Sequence, residues 1–275
     1  MERIAFISGE TIYYWSSIVL TLATLTAICF FWSLYLGKGG NGVAAFSVVP
    51  LAIVLSLLLG RLVHWYCRTS SYDSFTSAIK PFSPGGYALL GVFAGCALAA
   101  VIVRLVHFDR NLPQMLDCMA VAGCAGIAVG RLACFFNSAD RGQIITSTQS
   151  LPWVYPVTNA VSGATEYRLA TFILQAMAAL VLFLILLSFY LPKKQRKDGD
   201  TALIFLLLYG ASQIVLDSTR YDKLFFRSNG FVSVVQVLGA LGLLLVIVVF
   251  SLRMVKARGF RFWNVLVWLG IAACI

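Results

Sequence analysis

Residues 126–142 read GIAVGRLACFFNSADRG, an apolar run with one arginine, Arg131, set inside it. A cation within a hydrophobic segment is costly and must meet a partner, which makes it a functional-site hypothesis by default. The run then passes through Asn137 into a polar turn holding Asp140, Arg141 and Gly142. A guanidinium and a side-chain amide are thereby delivered to one membrane face. A guanidinium suits a phosphate diester, which it grips through a planar fork of donors.

A second grouping is defined by spacing. Tyr209, Gln213, Asp217 and Arg220 follow one another at steps of four, four and three, which places them on one helical face. Arg220 and Asp217 are spaced to pair with each other, and all four residues are able to bond a phosphate ester or a counter-charge. Arg61 with His64 forms a third grouping, and Asp117 stands fourteen residues before Arg131. Arg61, Arg131 and Arg220 face Asp117 and Asp217, so convergence of these groups leaves one positive charge for an anion. Two readings stand for Arg131: a salt bridge to Asp117 or Asp217, or a grip on lipid phosphate. The alternative for the 209–220 line is an ion pair with two interhelical hydrogen bonds, since polar groups also join membrane helices. Of the two histidines, His64 is the candidate base, and His107, beside Asp109 and Arg110, reads as a loop residue. There is no P-loop, HExxH or nucleophile elbow, and the seven cysteines lack metal spacing. Neither a cofactor nor a metal is expected; six of the cysteines (29, 67, 96, 118, 124 and 134) lie in or beside apolar runs as small hydrophobes.

The elements that must position these groups are membrane helices. The chain has 275 residues, 60% hydrophobic and 12% charged, against about 25% charged in soluble domains. Its net charge of +10 fits basic loops and anionic headgroups, not nucleic acid. Seven runs approach the roughly 20 residues that span a bilayer core: 17–36, 48–66, 86–106, 115–136, 169–191, 202–218 and 232–252. The expected fold is therefore an all-α polytopic bundle in one domain. Lys193, Lys194, Arg196 and Lys197 form one basic cluster, and Arg253, Lys256, Arg258 and Arg261 another. Seven spans put both on one side, read as cytoplasmic with the C-terminus. The N-terminus and the longer loops, 67–85, 137–168 and 219–231, then form an external polar head. Residues 1–16 read as a retained amphipathic lead-in, with Tyr13, Tyr14 and Trp15 at belt height, and 253–275 as a basic segment with an interfacial helix carrying Trp263 and Trp268. Gly85-Gly86 reads as a turn with close helix packing. The words Gly60-Arg61-Leu62 and Gly130-Arg131-Leu132 echo each other without a wider repeat.

Taken in order, these stretches resemble the prolipoprotein diacylglyceryl transferase family of bacterial inner membranes. GRLACFFNSADRG is similar to its GRxGNFxNGxxxG-like hallmark. IAFISGETIYYW resembles its lead-in, GRLVHWY its second-span arginine motif, IKPFSPGGYALLG the segment before its histidine motif, and YGASQIVLDSTR its span-six motif. The resemblance implies seven helices with an external head and a site open to lipid. It implies transfer of a diacylglyceryl group from phosphatidylglycerol to the lipobox cysteine thiol of an exported preprolipoprotein, with glycerol phosphate leaving. By the same resemblance Arg131 holds the lipid phosphate, with Arg61, Arg220 and Gly142 assigned beside it. Tyr209 matches the essential tyrosine and Asn137 the motif amide, while Asp117, Asp217 and Gln213 fall in a supporting polar network. The chain departs from the pattern at Leu90 for the family's histidine, Gln213 for its span-six arginine, Cys134 for the first motif asparagine and Ala139 for the motif glutamate. The His-Pro-x-Gln-x-Tyr-Glu segment is not matched around RLATFILQ. His64 or Tyr209 then stands in as base, and Arg141, Arg168 or Arg220 as cation. The rivals to this activity are a lipid- or lipoprotein-binding protein without turnover, or a transferase with a different acceptor or donor.

Overall fold

The computed structural model describes residues 4–9, 11–80, 85–106, 111–137, 141–145, 153–158, 163–192, 197–227 and 229–259, with residues 262, 265, 266, 268 and 270 of the tail. His107, Asp109, Arg110, Ala139, Asp140, Lys193, Lys194, Arg196, Arg261 and Trp263 lie outside the described residues.

Eight α-helices are described: α1 Trp15–Gly37, α2 Gly42–Cys67, α3 Phe75–Ile79, α4 Leu89–Leu105, α5 Leu112–Arg131, α6 Thr171–Tyr190, α7 Asp200–Ser218 and α8 Val234–Arg258. Six are long and apolar enough to cross a membrane, and α4 is a shorter apolar helix of 17 residues. The chain is a polytopic membrane protein, and its seven apolar helices coincide with the seven expected runs. Caps set several boundaries: Asn41 Oδ1 accepts the Val43 N–H at 2.9 Å before α2. Ser233 forms a reciprocal capping box with Gln236 before α8. The third run begins three residues later than expected because Gly85, at φ +137°, and the extended residues to Ala88 turn the chain first.

Three two-stranded antiparallel hairpins are added to the bundle: β1 Ile4–Ser8 with β2 Thr11–Tyr14, β3 Val154–Thr158 with β4 Thr165–Leu169, and β5 Phe225–Phe226 with β6 Asn229–Ser233. The amphipathic lead-in thus takes the form of a hairpin, in which Phe6 stacks on Tyr13 with ring centroids 4.4 Å apart.

α5 packs against α1, α4, α6 and α7. The two ends of the bundle are distinct. At one, Trp15 stacks on Phe136, Arg68 bonds the loop after α7, and residues 141–145 bridge to Arg220 and Arg168. This end carries the hairpins and is called here the head end. At the other, Lys38 Nζ donates to Tyr190 O at 2.6 Å, Asn111 bonds Asp198, and Arg253 pairs with Asp200. The segments that follow spans five and seven therefore meet at one end, as loop charge predicted. The buried core spreads from this second end, through Tyr35, Val48, Val103, Met115, Val121 and Tyr190.

Small residues let particular pairs approach. A Cβ at Gly91 would stand 2.3 Å from Leu59 O, and one at Gly95 2.5 Å from Ser56 N, so α2 and α4 are in backbone contact. Gly210 and Gly239 do the same for α7 and α8, with distances of 3.0 and 3.1 Å to each other's carbonyl oxygens.

Candidate active site

A cavity of about 370 Å³ opens between the head ends of α2, α4, α5, α7 and α8. Arg131 reaches it from the end of α5, Tyr209 and Gln213 from α7, and Arg220 from the turn that follows. His64 and Arg68 line it from α2, Leu90 and Phe93 from α4, and Asp222 from the loop before β5.

Tyr209 is held by aromatic packing. Its ring stacks on Phe205 at 5.1 Å and meets Phe93 edge-on at 5.3 Å. Arg220 is clamped by carboxylates: Nη1 lies 3.3 Å from Asp217 Oδ1, and Nε and Nη2 each lie 3.2 Å from Asp222 Oδ1. The expected i, i+3 pairing therefore forms. Asp217 is fully buried behind Arg220 and also accepts the Ser233 hydroxyl.

His64 belongs to a small relay. The Tyr72 hydroxyl donates to Gly86 O at 2.9 Å and accepts the Gly86 N–H at 3.2 Å. A phenol has one proton to give, so the 2.9 Å contact between Tyr72 and His64 Nδ1 is donated by the imidazole. That fixes the tautomer and leaves Nε2 as an acceptor. Gly86 is required beside it, because a Cβ there would stand 2.5 Å from Nε2.

The backbone around Gly142 holds Arg220 in place. Residues 141–145 run between β4 and the turn after α7. The Gly142 N–H donates to Leu169 O at 3.0 Å, the Gln143 N–H to Thr219 O at 3.1 Å, and the Tyr221 N–H to Arg141 O at 2.8 Å. A Cβ on Gly142 would lie 2.4 Å from Leu169 O. Gly142 thus acts through close backbone approach, outside the cavity lining. Asn137 is half-buried just past the 3₁₀ turn Leu132–Phe135, also outside the lining.

Two expected site residues are placed elsewhere. Asp117 sits at the opposite end of the bundle, fully buried, where it accepts the N–H groups of Gly199 at 2.9 Å and Ala202 at 2.8 Å. It caps α7, where unsatisfied donors and the helix dipole favour a carboxylate. Fourteen residues of helix separate it from Arg131 by about 21 Å. Arg61 is 1% exposed and lies behind the cavity wall: Nε donates to Ala78 O at 3.2 Å and Nη2 to Ser77 O at 2.9 Å, with Tyr72 and Tyr87 over its plane. It pins α3 to α2 and does not line the cavity.

The substitute cations are likewise sorted. Arg168 pairs with Glu166 at 2.7 Å and stacks over Tyr221, and neither it nor Arg141 lines the cavity. Burial pushes the nearby Tyr155 phenol up, partly offset by Arg141 and Arg168. The residue missed by sequence reasoning is Arg68. It follows Arg61 and His64 at steps of seven and four, a helical spacing that marks one face of α2 and was available to find it. Leu90 and Gln213, two of the departures from the family pattern, both line the cavity.

The family model for prolipoprotein diacylglyceryl transferase matches residues 3–252. Among curated relatives, the phosphatidylglycerol–prolipoprotein diacylglyceryl transferase of Streptococcus pyogenes serotype M3 is 24% identical over 229 residues, 82% of this chain and 85% of that protein. The enzyme of the same name from Dehalococcoides mccartyi is 24% identical over 224 residues, 81% of this chain and 83% of that protein. A match that runs through every apolar helix, ending within α8, establishes that the chain belongs to the prolipoprotein diacylglyceryl transferase family.

Proposed function

We propose that this protein transfers a diacylglyceryl group from phosphatidylglycerol to the lipobox cysteine thiol of an exported preprolipoprotein, at the outer leaflet of the bacterial inner membrane. The observation that carries the reading is the head-end cavity in which a family member gathers Arg131, Arg220 and Tyr209. The thiolate sulfur attacks the glyceryl carbon, a C–S bond forms, and the C–O bond to phosphate breaks with its electron pair leaving on glycerol phosphate. Charge developing on the departing phosphate is stabilised by the arginines, where fixed donors in a site with little water act most strongly. The thiol proton goes to His64 Nε2, the acceptor left by the Tyr72 relay. Tyr209 bonds the phosphate or the reacting oxygen. Asp217 and Gly142 hold Arg220, and Asn137 supports the end of α5.

The test is transfer by purified protein in phosphatidylglycerol micelles with a lipobox peptide. Glycerol phosphate release and the matching peptide mass gain, both lost in Tyr209→Phe and Arg131→Ala, are expected. A second reading, binding without turnover, is favoured by Leu90 and Gln213 lining the cavity where the family has histidine and arginine. Lipid binding by a folded protein with no release would establish it and end the first.

A further inference from the structure

Arg68 is the cation of the cavity whose charge is met only by neutral groups. Its Nη2 donates to Asp222 O at 2.9 Å and Lys223 O at 3.3 Å, and these are its hydrogen bonds among the described residues. Two carbonyls hold one edge of the guanidinium without cancelling its charge, and Nε and Nη1 keep their donors. The residue is half-buried and lines the same cavity as Arg131, Tyr209 and Gln213. Arg220, by contrast, shares its charge with Asp217 and Asp222. Arg68, Arg131, Arg220 and Asp222 line the cavity, and Asp217 pairs with Arg220 from behind. At Gln213, where the family pattern has an arginine, an amide with no formal charge lines the wall.

We infer that Arg68 is a phosphate-binding residue of this cavity, which supplies from α2 the guanidinium that Gln213 does not supply from α7. The tether fixes the plane of the fork, so little side-chain freedom remains to be lost when a phosphate arrives. The ligand chemistry is a phosphate group, and its source is either a lipid headgroup or free phosphate. The inference rests on the lipid-donor reading for its physiological ligand, but the anion site stands or falls on binding, not on turnover.

The experiment is equilibrium binding to the full-length protein in detergent, with short-chain phosphatidylglycerol, short-chain diacylglycerol and inorganic phosphate as separate probes. Arg68→Gln is expected to weaken phosphatidylglycerol binding about tenfold or more, the loss of charge-assisted bonds, while diacylglycerol binding is unchanged. Arg68→Lys, which keeps the charge and loses the fork, is expected to weaken it severalfold. Arg227→Gln is the control: Arg227 ties the same loop to Tyr66 O but does not line the cavity, and its binding should equal that of the parent. Inorganic phosphate that binds with the same dependence on Arg68, while phosphatidylglycerol does not bind, would keep the site and change its source. Unchanged phosphatidylglycerol and phosphate binding in Arg68→Gln overturns the inference. Should that variant not fold, equal binding by Arg68→Lys and the parent overturns it. Transfer measured in parallel separates the two proposals: Arg68-dependent binding without glycerol phosphate release removes the transfer reading and leaves the site standing, and full transfer with Arg68-independent binding does the reverse.

Discussion

His64 and Asp117 show how the partners of a side chain decide its role. His64 Nδ1 is committed to Tyr72, so the basic nitrogen is Nε2. His64→Gln should lower the transfer rate by about 10²-fold or more, the range for loss of a general base. Tyr72→Phe keeps the ring and frees the tautomer, so it should give a smaller loss in the same assay. Asp117 makes the opposite case. Its two backbone bonds fasten α7 to α5 far from the cavity. Asp117→Ala should cost about 1.5–3 kcal/mol, the value of hydrogen bonds to a charged group, read as a lower unfolding midpoint. Phosphatidylglycerol affinity of the folded fraction should not change. The order of residues in span four already separates Asp117 from Arg131 by most of a membrane. Spacing along the helix was sufficient to exclude their pairing, which the count of charges alone had left open.

At the level of elements, hydropathy located the seven apolar helices because lipid demands long runs with satisfied backbones. The hairpins were not legible. Their strands have two to five residues, too short to display alternation, and their pairing depends on a partner brought close by the bundle. The line Tyr209, Gln213, Asp217 and Arg220 was legible as a face, and it lies on one: three of the four line the cavity, and the fourth braces Arg220 from behind. The place of Arg61 behind the cavity wall was not legible because its neighbour in space, α3, begins fourteen residues later in the chain and carries no hydropathy signal. Gly91 and Gly95 make an element-scale prediction. Gly95→Val should force α2 and α4 apart at a cost of about 1–3 kcal/mol, typical of overpacking. Because Leu90 and His64 sit one to two turns away, phosphatidylglycerol binding should fall with it, measured alongside thermal unfolding.

Across the whole molecule, the two ends differ in what they carry: hairpins, cavity and Gly142 bridge at one, and Lys38, Asp198 and Arg253 at the other. With the native cysteines replaced, a cysteine introduced at Thr165 should react with a membrane-impermeant thiol reagent in intact cells. One introduced at Asp198 should react only after permeabilisation. The reverse pattern would invert the orientation drawn from loop charge and place the cavity on the cytoplasmic side.

The packing of α2 and α4 also has a mechanical side. Near Val48 and Val103 they are sealed into the common core, whereas near His64 and Leu90 the cavity stands between them and α5 and α7. What closes the gap on that side is a latch, Arg68 on the carbonyls of Asp222 and Lys223. These bonds engage a charged donor, the class that contributes about 1.5–3 kcal/mol. The α2–α4 pair is therefore fastened to the core at the far end and tied at the head through Arg68. With Arg68 assigned to phosphate, one guanidinium both ties this wall and meets the ligand, so its loss should loosen the two together.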